Sequence, residues 1–281
     1  MRALSRFFVN NASRIWLVLV YLFLYIPLFF LIVFSFNSTR QDGVFTGFSL
    51  RWYRALLEDS RLVDGFFLSL KVALMTGTLS VVLGCFAAFV LVRYRRFSGR
   101  TLFYGMVNAP LVMPEVIIGL SLLLLMVAAQ RTLGFPERGF VTIVLGHTLL
   151  GMAYATVVIQ SRLVEMDRSI EEAAMDLGCR PMQVFFLVTL PNIAPALVSS
   201  WLLSFTLSFD DVVISEFLSG PGVTTLPQVI FSYARRGVNP SIYAAATILI
   251  AAVSMGIIGY SLFMVRRQKR LDREINAAAA A

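Results

Sequence analysis

Charge is scarce in this chain. Asp, Glu, Lys and Arg account for 14% of its 281 residues and hydrophobic residues for 58%, whereas an average soluble domain is about a quarter charged. So few charges cannot cover a soluble surface, which argues against a soluble fold. Histidine occurs once, at His147, and the only lysines are Lys71 and Lys269. There is no H-E-x-x-H pair, no G-x-S-x-G elbow and no G-x-x-x-x-G-K-[ST] phosphate loop, so the usual hydrolase and nucleotide-hydrolysing constellations are missing. No catalytic residue is expected here, and any ATP must be hydrolysed by another polypeptide. Cys85 lies in an apolar run and Cys179 in a distant polar loop, a spacing that supports neither a disulfide framework nor a metal site.

What the chain has in quantity is long uncharged stretches. Ile15 to Phe36 runs 22 residues without a charge. It is too long for a signal-peptide core and lacks a small-x-small cleavage pattern, so it reads as a retained span. Further apolar windows cover about 67–92, 101–130, 140–160, 193–218 and 241–265. A bilayer core is crossed by about 20 apolar residues in a helix, and these windows lack period-2 alternation. The fold class is therefore all-α and integral to the membrane, with six transmembrane helices in one domain and no large soluble part. The net charge of +8 is mostly arginine, and in such a chain it fixes orientation rather than binding nucleic acid. Fifteen Lys and Arg fall on the side holding both termini, against eight on the other. Both termini and the 161–192 loop are thus expected in the cytoplasm. The opposite segment, Asn37 to Gly65, carries Phe48, Leu50, Trp52, Tyr53, Leu56 and Leu57 among charges. It suits a helix lying on the headgroups or a docking surface for an external partner. The closing alanine run, 276–281, reads as a disordered tail or helix end.

The 161–192 loop is the most patterned polar segment. Ser169 followed by Glu172 predicts a capping box with a helix from about Ile170. Gly178 supplies a left-handed stop, and Pro181 suits the first turn of a second short helix that ends before Pro191. Ala173 and Ala174 would allow another surface to approach closely. Glu171, Glu172 and Asp176 would give it polar partners, and Met175, Leu177, Met182, Phe185 and Phe186 provide apolar area. Packing of these residues on the chain's own helix ends is the plainer alternative.

Glu172-Ala173-Ala174, then Gly178, then Leu190-Pro191, resembles the EAA loop of permease subunits of ATP-binding-cassette importers. Its place between the fourth and fifth of six spans fits the type I importer permease fold over nearly the whole chain. The resemblance implies that Ser169 to Leu190 forms coupling helices seated on a cytoplasmic ATPase, with Glu171, Glu172, Ala173, Ala174, Gly178, Pro181, Leu190 and Pro191 at the contact. It further implies a second permease subunit, an ATPase dimer and a periplasmic binding protein, in a bacterial inner membrane. The runs Ala109 to Glu115, Ser169 to Gly178 and Leu207 to Asp211 look most like permeases of putrescine and spermidine importers, closest to the putrescine branch.

Carboxylates inside apolar windows need a reason, since a charge near the bilayer centre costs at least about 2.5 kcal/mol. Glu115 follows Pro110 and Pro114 and, counted from Thr101 at 1.5 Å per residue, should lie about 20 Å deep in a kinked third span. Ser200, Ser204, Ser208, Asp211 and Ser215 recur at helical spacing and should form one inward stripe in span five. Asp210 sits beside that stripe, and Trp201, Phe205 and Phe209 make an aromatic row one position on. Carboxylates with aromatic faces suit an organic dication such as a polyamine. Asp211, Asp210, Glu115, Ser208, Phe209, Phe205 and Trp201 are therefore candidate path residues. Aromatic packing on lipid or helices is the plainer reading of Trp201 and Phe205, and an interhelical hydrogen bond that of His147. A gradient-driven transporter, a permease for another small amine, and a non-transporting anchor remain as alternatives; the loop motif argues against the first.

Overall fold

The computed structural model describes residues 2–39, 44–94, 96–236 and 240–251, with 254, 255, 258, 259, 261, 262 and 266, and describes side chains from residue 12 onward. Both chain ends and the alanine run lie outside the described residues. The described chain is almost wholly helical. Five helices are long and apolar enough to cross a membrane: Ala12–Ser35, Ser60–Arg93, Glu115–Leu133, Phe140–Glu165 and Pro181–Phe209. A shorter apolar helix, Pro240–Ala251, stands where the sixth span is expected.

In chain order the elements are α1 (Arg2–Ser35), α2 (Arg51–Glu58), α3 (Ser60–Arg93), α4 (Arg100–Val112), α5 (Glu115–Leu133), α6 (Phe140–Glu165), α7 (Arg168–Asp176) and α8 (Pro181–Val184). A π turn over Phe185–Thr189 leads into α9 (Leu190–Phe209), α10 (Val213–Leu218) and α11 (Leu226–Arg235). They fall into two compact units, one made of the chain up to Ser60 with that from Tyr233 onward, the other of Arg61–Ser232.

In the first unit every side chain from Ala12 to Phe30 is exposed, an apolar surface that only lipid or another chain would cover. The segment after it is ordered around buried Asn37. Asn37 Nδ2 donates to Val44 O at 2.8 Å, and its Oδ1 accepts from Thr46 N at 2.9 Å. Trp52 of α2 is buried and donates Nε1 to Asn37 O at 2.7 Å. The amphipathic segment thus packs its tryptophan on its own loop, while Leu57 and Phe48 stay exposed.

In the second unit, α3, α6 and α9 share a core of Cys85, Ala88, Val92, Ala155, Ile159, Leu163 and Ile193. A second core joins Val72, Ile118, Ile143, Val144, Ile214 and Leu218 from α3, α5, α6 and α10. Small residues set the helix separations, as expected where lipid offers no hydrophobic drive for association. A Cβ on Gly84 would lie 2.8 Å from Ala155 Cβ and 3.0 Å from Thr156 N.

One of the two breaks in the expected spans is set by proline. The expected third span is two helices, because Met113, the residue before Pro114, is extended at φ −86° and ψ 138°. A residue preceding proline is pushed out of the helical region by the ring. Pro191 does not end a helix: Leu190 N bonds Phe185 O in a widened turn, which relieves crowding between the Pro191 ring and the Leu187 carbonyl. The second loop helix therefore runs on into α9 as one 29-residue rod, Pro181–Phe209. The expected fifth span, in turn, stops at Phe209 and restarts at Val213.

Gly84→Val should destabilise the solubilised protein by about 1–3 kcal/mol through overpacking. Gly105, which has nothing within 4 Å of a built Cβ, should accept Ala with no loss, since Gly→Ala at a compatible site removes unfolded-chain entropy. Thermal unfolding in detergent checks the pair, and equal midpoints would refute the close α3–α6 approach.

Candidate functional site

Two polar constructions stand out, one at each end of α9. The first is the loop around α7. Its helix starts at Arg168, earlier than the expected Ile170, because Asp167 rather than Ser169 is the cap: the Asp167 side chain accepts from Ser169 N at 2.9 Å. That backbone amide, helped by the Ser169 side chain, holds the Asp167 carboxyl below the ordinary carboxylate range. A carboxylate next to the positive end of a helix is a better cap than a hydroxyl one turn further in. Glu172 makes no capping bond and points outward.

The C-terminus of α7 closes as the sequence suggests. Gly178 takes φ +92°, Gly178 N bonds Met175 O at 2.9 Å and Cys179 N bonds Ala174 O at 3.1 Å. This is a Schellman closure, in which glycine avoids the Cβ penalty of the left-handed region. Pro181 opens α8, and Gln183 Oε1 accepts from Arg180 N at 2.8 Å.

No residue of α7 is buried. Glu172, Ala173, Met175, Asp176, Leu177, Pro181 and Pro191 are exposed, and Ala174 and Leu190 half-buried. Met182, Phe186 and Leu187 are more than half exposed, so the loop offers apolar and acidic surface together. Glu171 differs. Its Oε1 accepts from Arg93 Nη2 at 2.9 Å and from Thr189 Oγ1 at 2.7 Å. Arg93 Nε also lies 2.9 Å from Glu171 Oε2, an ion-pair contact without hydrogen-bond alignment. Arg93 and Thr189 carried no signal in the sequence; Arg93 counted only as one more charge beside a span.

The second construction is the break between α9 and α10. His147 of α6 holds both sides of it: Nδ1 is 2.7 Å from Ser208 Oγ, and Nε2 is 3.0 Å from Asp211 Oδ2 and 3.1 Å from Ser215 Oγ. Asp211 also caps α10, its Oδ1 accepting from Ile214 N at 3.3 Å and its Oδ2 from Ser215 N at 2.8 Å. The serine stripe faces the bundle interior, one of the two placements its period allowed. Ser200, Ser204, Ser208 and Ser215 are buried, and Ser204 Oγ donates to Gly151 O at 3.2 Å. The pocket lined by His147, Ser204, Ser208 and Asp211 has a volume of ≈ 10 Å³, room for about one water.

Asp210 is exposed and its carboxylate has no hydrogen-bond or ion-pair partner on another described residue; the same holds for Glu115, the first residue of α5. Trp201 stacks on Phe205 at 5.3 Å and Phe205 on Phe209 at 5.8 Å, both at 15°. Trp201 Nε1 reaches Thr78 Oγ1 at 3.2 Å, and Phe209 meets Phe66 edge-on. The row is a half-exposed aromatic strip beside α3. Gln228 and Glu216, which the sequence reading passed over, are joined at 3.0 Å.

His147→Leu should lower thermal stability by about 1–3 kcal/mol, the penalty of leaving buried polar partners unanswered. His147→Gln should recover part of the loss. Equal melting of parent and His147→Leu would remove the histidine from this role.

Residues 80–273 match the model of the family described as binding-protein-dependent transport system inner membrane component. The putrescine transport system permease protein PotI of Escherichia coli K12 is 52% identical over 93% of this chain and 94% of its own length. The spermidine/putrescine transport system permease protein PotC of Haemophilus influenzae is 38% identical over 94% and 99%. Among solved structures, a chain of a bacterial ABC transporter involved in import of the acidic polysaccharide alginate superposes with a TM-score of 0.71 over 92% of this chain and 96% of that one, at 17% identity. The fold is that of an ABC importer permease, and the chain belongs to the family of binding-protein-dependent transport system inner membrane components.

Proposed function

We propose that this chain is a permease subunit of an ATP-driven importer that carries a polyamine, putrescine first, across the bacterial inner membrane. The identity of 52% to a putrescine permease over 93% of the chain carries this reading. Charge bias places both termini and the α7–α8 loop in the cytoplasm. There the loop docks on an ATPase dimer, which uses the ATP; a second permease and a periplasmic binding protein complete the assembly.

Within the chain, Asp210, Glu115 and the strip Trp201, Phe205 and Phe209 meet the cation by charge pairing and cation-π contact. Asp211 and Ser208 act behind them by holding the helix break in place. The support for dividing the two aspartates is that Asp211 already has a buried imidazole and two amides of other residues as partners, whereas Asp210 has none on another described residue. A permease for another small amine would share this framework, and competition by unlabelled amines separates the two readings. A gradient-driven carrier would take up solute without ATP.

Asp210→Asn should lower putrescine uptake at limiting substrate about tenfold, since a charge-assisted contact is worth roughly 1.5–3 kcal/mol and 1.4 kcal/mol is a decade. Glu115→Gln should act in the same direction. The assay is initial uptake into proteoliposomes with saturating binding protein, and unchanged concentration dependence in both variants would make these carboxylates structural. Gly178→Val, which forces a β-branched residue to φ +92°, and Ala174→Trp should each weaken ATPase copurification or coupled uptake without preventing membrane insertion. Normal coupled uptake in both would remove the loop from the ATPase contact.

A further inference from the structure

The Glu171 carboxylate joins three separate parts of the second unit. Arg93 is the last residue of α3, Glu171 sits within α7, and Thr189 ends the turn from which α9 rises. The Glu171 and Arg93 side chains are only 12% and 10% exposed, and Thr189 is 1% exposed. Arg93 also donates Nη1 to the buried Leu163 carbonyl near the end of α6 at 3.3 Å, and Arg168 of α7 reaches Arg93 O at 3.4 Å. One ion pair with its satellites therefore gathers α3, α6, α7 and the root of α9.

This matters because α7 has no buried residue. No fully buried apolar side chain anchors it, and a nine-residue helix is too short to persist on its own. Its outward residues Glu172 and Met175, with Leu177 just after it, are exposed, while its most directional hold on the bundle is polar. A carboxylate bonded from two directions fixes both distance and angle, unlike non-directional apolar contact. Any displacement of α7 must then pass to Arg93 or Thr189, and α9 carries Ser208 and the aromatic strip at its far end.

We infer that Glu171, with Arg93 and Thr189, is an internal transmission pin that makes α3 and α9 follow α7, and that it is not part of the surface docked on the ATPase. Glu171 is a positioning residue, acting through α9 rather than on the substrate. The inference rests on the importer reading above.

The test uses the complete complex in proteoliposomes, loaded with binding protein and radiolabelled putrescine, and reads uptake per ATP hydrolysed. Thr189→Val keeps the shape and the Arg93 pair and removes only the link to α9. It should lower that ratio at least threefold with the complex intact by gel filtration. Glu171→Ala and Arg93→Ala should lower it at least fivefold, and the exchanged pair Arg93→Glu with Glu171→Arg should recover part of the loss over either single exchange. Unchanged uptake per ATP in Thr189→Val and Glu171→Ala would overturn the inference. So would loss of ATPase copurification in Glu171→Ala, which would put the residue on the docked surface, or failure of the complex to assemble in both Thr189→Val and Glu171→Ala, which would make the cluster a folding element. A parent complex that moves no putrescine with ATP would instead defeat the importer reading, a result distinct from any of these.

Discussion

Lipid offers no hydrogen bonds, so a helix that stops within the bilayer must have its freed amides answered by the protein itself. The second unit has two helix breaks within its apolar stretches, after Val112 and after Phe209, and each is answered locally. At the first, Pro114 O takes Ile117 N at 2.9 Å and Ile118 N at 3.2 Å, and Glu115 stands in the first turn of α5, where the helix dipole favours a negative charge. At the second, Asp211 takes the amides of Ile214 and Ser215. Its carboxylate in turn meets an imidazole bonded on both ring nitrogens.

The restarted halves, α5 and α10, then pack on each other through Ile118, Ile214 and Leu218. Gly119 lies so close to the Phe217 ring that a side chain there would force a shift. Two breaks that would each be unstable in lipid thus support one another, and the residues beside them, Glu115 and Asp210, pair with no other described residue. Irregular backbone at membrane depth is tolerated where it is enclosed by protein or lines a watery space.

Most of the architecture was readable from the chain because it follows from hydrophobic run length, which is local. The glycine stop at Gly178 and the proline start at Pro181 were readable for the same reason: each is a backbone preference of one residue. The errors have a common cause too. Ser169 matched a capping pattern, yet Asp167 was nearer the helix start and carried charge. Pro191 is a helix breaker in isolation, yet a widened turn absorbs it. The inward serine stripe is buried as its period suggests, but its partners His147 and the Gly151 carbonyl are not visible from span five alone. Arg93, Thr189 and Glu171 are separated by 78 and 18 positions, so only the folded chain brings them together.

The same distinction explains why a protein so rich in apolar surface relies on a few polar contacts where its helices end and break. Apolar packing is abundant here, but lipid is as apolar as leucine, so such packing tolerates sliding between helices. A partly buried ion pair adds little to stability, because the removal of two charges from water offsets most of their attraction. What it adds is register: breaking one partner leaves the other charge stranded, so misplaced arrangements are heavily penalised. The Arg93–Glu171 ion pair at one end of α9 is therefore placed where register matters more than stability, where α7 meets the bundle; at the other end the His147–Asp211 hydrogen bond fixes the helix break beside Asp210.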